Sequence, residues 1–399
     1  MILIDKQCND MSRISNVANN IAPSMIRQLF NMAKTINDVV DFTLGDPDVQ
    51  PDKNIKNAAC KAIIEGKTRY SQNAGLLELR QIISKRYLEK EKLEYSPISE
   101  IAVTVGAMEG LYLTLLSLVN PGDEVIIPAP YYVNYKQMVE MCGGTPIIVN
   151  PSDKKSLLVN GDDIASVITG RTKIILLNSP ANPSGRILSD DTLMRIGMLA
   201  VEHNLVVISD EVYRKLIYDG RHYLSIATLK GMKNNVMIIN SLSKEFCMTG
   251  YRIGYVLGPE DIISAVVKLQ ENVAACAPLP SQYAAIEALG SDIDYSEHMI
   301  EIFTKRRDTL YHELKEAETI RVLKPEATFY AMVDISGLGY ESSVQFAYDL
   351  LEKAHVAVVP GVAYGDICRN YIRIAFTLDE SKIIKGARRI VDFTKEIRK

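Results

Sequence analysis

The chain has 399 residues, 47% of them hydrophobic and 24% charged, the proportions of a soluble globular protein with two or three domains, or one large and one smaller. A balance of 45 basic against 49 acidic side chains gives −4, which excludes a generally basic surface for nucleic acid or an anionic membrane. No apolar run is long enough to span a bilayer. The opening MILIDKQCNDMSR has no basic stretch, apolar core and cleavage site of a leader, so a cytoplasmic protein is expected.

The six cysteines (Cys8, Cys60, Cys142, Cys247, Cys276 and Cys368) are scattered without a CxxC pair, as reduced thiols are. His203, His222, His298, His312 and His355 fall in no ligand-like spacing, and no metal is expected.

In chain order, residues 1–45 read as an N-terminal arm that also contributes to a smaller domain. Residues 46–280 read as a large domain. Its strands are placed at IAVTV (101–105), DEVIIP (123–128), TPIIV (145–149), KIILLN (173–178), LVVISD (205–210), NVMIIN (235–240) and YVLG (255–258). Helical patterns such as GLYLTLLSLV (110–119) and DDTLMRIGMLAVEHN (190–204) lie between them. Continuous Val/Ile runs alternating with helices predict an α/β domain whose mostly parallel sheet is covered by helices on both faces. Residues 281–399 mix helices such as SVQFAYDLLEKA with the strands FYAMVDI, VAVVP and YIRIAF, which predicts a smaller α+β domain.

Ligands of such sheets bind beyond the carboxyl ends of the strands. Here those ends carry Gly106-Ala107, Ala-Pro-Tyr-Tyr132, Asn178-Ser-Pro-Ala-Asn182, Asp210-Glu-Val-Tyr213 and Ser241-Leu-Ser243-Lys244. Each reads blandly alone: a turn glycine, a capping serine or aspartate, a surface lysine. Together, on one rim, they describe a ligand. Gly106 and Ala107 at a helix N-terminus, Ser241, Ser243 and the guanidinium of Arg252 suit a phosphate. Tyr132 can stack on a flat ring, and Asn182 and Tyr213 can donate to one ring oxygen. Asp210, after a buried strand, needs a cationic partner. Lys244 can form a Schiff base. A phosphate, an aromatic ring with a phenolic oxygen, a basic ring nitrogen and an aldehyde make up pyridoxal 5′-phosphate.

The motifs NSPANPSG (178–185), SDEVY (209–213), SLSK with MTGYRIGY (241–255) and YIRIAF (371–376) resemble those of the class I/II aminotransferases, pyridoxal-phosphate enzymes of fold type I. The resemblance runs from LGDPD (44–48) to NYIRIAF (370–376). It implies that Lys244 holds the coenzyme and shuttles the proton, that Asp210 keeps the ring nitrogen protonated, and that Tyr213 and Asn182 bind the ring oxygen. It gives Tyr132 the ring face, and the phosphate to Gly106, Ala107, Ser241, Ser243 and Arg252. It implies that Arg373 pairs with the substrate α-carboxylate, with the Gly45 backbone close by. Tyr70 matches a tyrosine that reaches the neighbouring subunit's phosphate, which implies a homodimer with shared active sites.

The activity so implied is transfer of an amino group from an L-amino acid to a 2-oxo acid such as 2-oxoglutarate. A carbon–sulfur β-lyase shares the lysine, aspartate and phosphate cradle and stands as the alternative. A non-catalytic ligand sensor is disfavoured, since no basic helix-turn-helix precedes the site and every coenzyme residue is present. Some aspartate-using relatives place a lysine close after the phosphate-site glycine, where this chain has Met108 in GAMEG. A second carboxylate beside methionine is costly, so neutral, aromatic or broad specificity is expected over aspartate, with Arg27 of PSMIRQLF the one candidate for a side-chain carboxylate.

Overall fold

A computed structural model describes residues 13–291 and 295–397. The start of the chain, including Cys8 and most of the stretch examined for a leader, lies outside the described residues. The apolar runs form one seven-stranded sheet. Its strands are β1 Ile101–Thr104, β2 Glu124–Pro128, β3 Thr145–Val149, β4 Thr172–Asn178, β5 Val206–Asp210, β6 Val236–Ser241 and β7 Gly254–Leu257. Their spatial order is β1-β7-β6-β5-β4-β2-β3.

Successive side chains of a strand point to opposite faces. Accordingly Val103, Ile126, Ile175, Val207 and Ile238 enter one apolar core. Their neighbours Ala102, Val125, Ile174, Ile208 and Met237 enter another. Helices Leu77–Glu91, Asp190–Glu202 and Leu279–Gly290 cover the first face through Ile83, Ile196 and Ala285. Helices Gly106–Leu118, Asn134–Met141 and Glu260–Val273 cover the second through Leu115, Val139 and Val266. Each buried aliphatic chain contributes about 1.5–3 kcal/mol, so the sheet is a rigid base for the loops at its end.

Six strands run in one direction and β7 runs against both its neighbours, β1 and β6. Residues 242–253 hold only the short helix Leu242–Glu245 and a 3₁₀ turn at Thr249–Tyr251. A parallel crossover is usually built on a full helix, which these twelve residues lack, and the connection turns the chain back. β7 therefore starts at the rim where the others end, and Arg252, just before it, joins the same edge.

The second sheet has four antiparallel strands: β8 Arg321–Leu323, β9 Tyr330–Asp334, β10 Val359–Pro360 and β11 Tyr371–Ala375, in spatial order β10-β11-β9-β8. Helices Tyr295–Leu314, Ser343–Ala354 and Glu380–Ile397 cover it through Phe303, Phe346 and Ile390. Helix Met25–Ala33 adds Leu29 and Ala33 to this core, and Val40–Asp41 pairs in parallel with Val356–Ala357. The N-terminal segment is thereby fixed to the second sheet and continues through Thr43 and Gly45 toward the rim of the first. Among the described residues, no helix is long and apolar enough to cross a membrane. Cys60, Cys142, Cys247, Cys276 and Cys368 are free thiols.

One contact fixes β7 against the first turn after β1. A Cβ on Gly254 would lie 2.7 Å from the Ala107 nitrogen and 2.8 Å from the Asn240 carbonyl oxygen, both backbone atoms. Neither can turn aside as a side chain does. Gly254→Ala is expected to cost about 2–3 kcal/mol, read as a lower denaturant midpoint of the apoprotein, whereas Gly170→Ala, in open space and without a positive φ, shows no such penalty.

Candidate active site

A cavity of about 770 Å³ opens where the first sheet's rim, the second sheet and the N-terminal segment meet. Ala107, Tyr132, Asn182, Asp210, Tyr213, Ser241, Ser243, Lys244 and Arg252 line it from the first sheet. Gly45 lines it from the N-terminal segment and Arg373 from β11. Gly106 backs the wall beside Ala107. Tyr70 does not join them: it is 86% exposed, on the loop after helix Lys53–Ile64.

At one end, helix Gly106–Leu118 begins with Gly106 at φ +76°, a conformation glycine adopts without strain. The Arg252 guanidinium packs where a side chain would be: its Nη2 lies 2.6 Å from the position of a Gly106 Cβ. Arg252 Nη1 donates to the Thr249 carbonyl at 2.7 Å. The Ser241 hydroxyl accepts from the Ser243 backbone nitrogen at 3.0 Å and lies 2.9 Å from the Ser243 hydroxyl. Free helix-end N–H groups, two hydroxyls and a guanidinium form a cradle for an anion.

In the middle, Asp210 ends β5 and is 8% exposed. It accepts from the Tyr135 hydroxyl at 2.5 Å and from the Val212 backbone nitrogen at 3.3 Å. Burial raises its carboxyl to about 6, against the lowering effect of those two bonds. Two hydrogen bonds leave acceptor capacity on the carboxylate for a cation. Tyr135 escaped the sequence reading because a helical tyrosine ordinarily signals packing.

Beside Asp210, the Tyr213 and Tyr330 hydroxyls lie 3.0 Å apart, both side chains buried. Desolvation first, then Tyr330, push the Tyr213 phenol well above its usual range. Asn182 is held through its backbone nitrogen by the Asn178 side chain at 2.8 Å. The partly buried Tyr132 ring meets the Tyr135 ring edge-on, at 5.5 Å and 77°.

Lys244 donates to the Gly45 carbonyl at 2.7 Å, and its Nζ lies 5.3 Å from the Phe329 ring centre. The Gly45 requirement now has a physical cause: a Cβ there would fall 1.8 Å from the Tyr330 hydroxyl. Arg373, 2% exposed, donates to the Asn182 amide oxygen at 3.1 Å and to the Thr43 carbonyl. Its guanidinium carbon lies 4.4 Å from the Tyr330 ring centre and 5.2 Å from that of Tyr364, and its Nε has no hydrogen-bond partner among the described residues. Tyr330 and Thr43 were not singled out from the sequence, since their partners lie far away in the chain.

The donor set fits pyridoxal 5′-phosphate by its own chemistry. A glycine-floored anion cradle, a buried carboxyl short of a cation, a phenol and an amide side by side, and a lysine amine open onto one cavity.

A family model described as aminotransferase class I and II matches residues 37–390. The chain is 35% identical to an aspartate aminotransferase of Bacillus sp. (strain YM-2), over 96% of this chain and 99% of that one. It is 33% identical to aromatic-amino-acid aminotransferase 2 of Thermococcus litoralis, over 94% and 97%. The structure of an aromatic aminotransferase from Pyrococcus horikoshii superposes with a TM-score of 0.88 at 35% identity, covering 93% of this chain and 99% of that one. With a family match across nearly the whole chain and a site built for the coenzyme, this protein belongs to the class I and II aminotransferases, transaminases dependent on pyridoxal 5′-phosphate.

Proposed function

We propose that the enzyme takes its amino group from neutral and aromatic L-amino acids in preference to aspartate and passes it to 2-oxoglutarate. The observation that carries this reading is the composition of the cavity wall. Ile26, Met108 and Val133 line it, and Arg27 stands exposed at its mouth. A neutral or aromatic side chain can lie on that wall without losing a hydrogen bond. A carboxylate laid on those three side chains would lose water without gaining a hydrogen bond from them. Arg27 rests near the Phe30 ring, at 5.8 Å, and is available to the distal carboxylate of the longer dicarboxylic acceptor. The named relatives include both aspartate and aromatic enzymes, and the apolar part of the wall supports the neutral and aromatic reading.

Bound pyridoxal 5′-phosphate supplies an electron sink for the pair left at the substrate Cα. The residues divide the rest of the work. Gly106, Ala107, Ser241, Ser243 and Arg252 hold the phosphate, and Tyr132 covers the ring face. Asp210 keeps the ring nitrogen protonated, and Tyr213 and Asn182 hold the ring oxygen. Arg373, with the Gly45 backbone nearby, binds the α-carboxylate and so aims the Cα proton at Lys244. With the coenzyme bound, the Lys244 amine would be the group that takes the Cα proton and gives it back. The exposed Tyr70 completes the phosphate site of a second copy in a homodimer.

The test is a visible-absorption titration of loaded enzyme with single amino acids and no acceptor. Stoichiometric conversion to the pyridoxamine form is expected, fastest with neutral or aromatic donors. A preference for aspartate overturns the specificity reading, and accumulation of pyruvate and ammonia from cysteine overturns transamination in favour of β-lyase chemistry. Lys244→Ala should lose more than the roughly 10⁴-fold that general acid–base transfer alone supplies, since the covalent exchange goes with it. Normal turnover by that variant would sink the Lys244 assignment.

Arg27→Met is expected to lower kcat/KM for 2-oxoglutarate by roughly 10–100-fold, the worth of one charge-assisted pair, while pyruvate as acceptor stays within about twofold. Equal losses for both acceptors would rule out a role in side-chain recognition.

Asp210 gives a pH prediction for the apoprotein. Its folded carboxyl titrates near 6, above the unfolded value of 3.8, so the folded state binds the proton more tightly. Stability from this group is full below the unfolded value and is lost as pH rises through 6. Between pH 3.5 and 7, wild-type apoprotein should lose up to about 3 kcal/mol relative to Asp210→Asn, measured by urea unfolding across that range. Parallel pH profiles for the two proteins would contradict it.

A further inference from the structure

Tyr330 lies where three parts of the site meet. Its hydroxyl is 3.0 Å from that of Tyr213. The same hydroxyl fills the space denied to a Gly45 side chain, and Gly45 accepts from Lys244. The face of its ring lies under the Arg373 guanidinium at 4.4 Å. Its own position is fixed from behind: its backbone nitrogen donates to the Thr328 hydroxyl at 3.2 Å, and its ring meets the rings of Tyr213 and Phe329 edge-on.

In the Tyr213–Tyr330 pair either oxygen can be the donor. A phenol has one proton to give. When Tyr213 gives its proton to a ligand oxygen in the cavity, its bond to Tyr330 survives only with Tyr330 donating. The protons then line up head to tail, from Tyr330 to Tyr213 to the ligand. Such a chain polarises each bond and strengthens the last one.

We propose that Tyr330 is a positioning residue that acts through Tyr213: its hydroxyl donates to the Tyr213 oxygen, orients the Tyr213 proton toward the coenzyme's ring oxygen, and strengthens that bond. The inference rests on the proposed role of Tyr213 as a ring-oxygen ligand. The ring of Tyr330 has a separate task, as the floor of Arg373. The other charged and titratable groups facing this pair are Arg373, Tyr132 and Tyr364, with Asp210 beyond Tyr132 and Lys244 over Phe329.

The two tasks can be separated by substitution. Tyr330→Phe removes the hydroxyl and keeps the ring; Tyr330→Leu removes both. The readout is the pH midpoint of the visible band of coenzyme linked to Lys244. A donor on the ring oxygen draws negative charge away from the neighbouring linkage proton. Weakening the donor holds that proton more tightly, and the midpoint rises. Tyr213→Phe, which removes the donor itself, should raise it most. Tyr330→Phe is expected to raise it by about 0.3–0.6 pH units, a fraction of the bond's full effect. Its KM for the amino acid should stay within about twofold, while Tyr330→Leu raises KM roughly tenfold through Arg373. The double variant Tyr213→Phe/Tyr330→Phe should match Tyr213→Phe alone, because the path is gone.

A midpoint for Tyr330→Phe within about 0.1 unit of wild type, with Tyr213→Phe clearly raised, overturns this inference and leaves the Tyr213 role standing. A rise that persists undiminished in the double variant overturns it too, because Tyr330 would then act by another route. If Tyr213→Phe itself leaves the midpoint unmoved, the Tyr213 reading fails and this inference falls with it. The measurement uses folded, coenzyme-loaded protein throughout.

Discussion

The reversal of one strand governs the geometry of the whole site. β7 lies between β1 and β6 and runs against both. Its N-terminal end therefore reaches the rim on which the other strands finish. That brings Arg252 beside Gly106, two segments that a uniformly parallel sheet would place at opposite edges. Gly254 lets the backbone of residues 106–107 and 240 close in on the reversed strand. An anion cradle drawn from both β1 and the β6–β7 connection is a consequence of this packing.

Behind the cradle stands a buried charged network that fixes its orientation. Glu211, fully buried, accepts from Ser225 at 2.5 Å, Ser209 at 3.1 Å and Arg214 at 3.3 Å. Arg214 also pairs with Glu91, and its guanidinium carbon lies 4.8 Å from the Tyr87 ring centre. The Tyr87 hydroxyl accepts from the Asn240 side-chain amide nitrogen at 3.3 Å, and the Asn240 side-chain oxygen Oδ1 accepts from the Ser241 backbone nitrogen at 2.7 Å. Removing one member of such a network leaves an uncompensated buried charge, at about 3–5 kcal/mol. The rim that carries Ser241 to Lys244 is thus anchored from the far side of the sheet. A second tie, from Arg86 to Glu245 at 3.2 Å, holds the turn next to Lys244 itself.

The strands were legible because the runs are continuous and rich in Val and Ile, a pattern that both faces of a covered sheet impose. The polar strand ends were legible because buried strands seldom finish in Asp, Lys and paired Ser without a use. The direction of β7 went unread, although twelve residues without a full helix between β6 and β7 left little room for a parallel crossover. Tyr135 and Tyr330 went unread for a deeper reason. Their sequence surroundings, VNYKQ and TFYAM, carry only the signal of burial, and their roles depend on hydroxyl partners 75 and 117 residues away. The glycine of LGDPD was recognised by pattern, but its cause, the Tyr330 hydroxyl, exists only in three dimensions.

The finished cavity holds two buried charges that the protein leaves incompletely answered. Asp210 has hydrogen bonds from a phenol and a backbone N–H, both neutral. Arg373 has an amide oxygen, a backbone carbonyl and two ring faces, again all neutral. Ions of opposite sign in one cavity would gain by pairing, yet each is bound to a different sheet and held by its own neutral partners. The second-sheet arginine and the first-sheet aspartate therefore remain apart, each suited to an external ion. Burial makes each charge costly to the empty protein and, by the same low dielectric, makes each one discriminating toward what binds. The fold's stability and the site's selectivity are set against each other in the same few atoms.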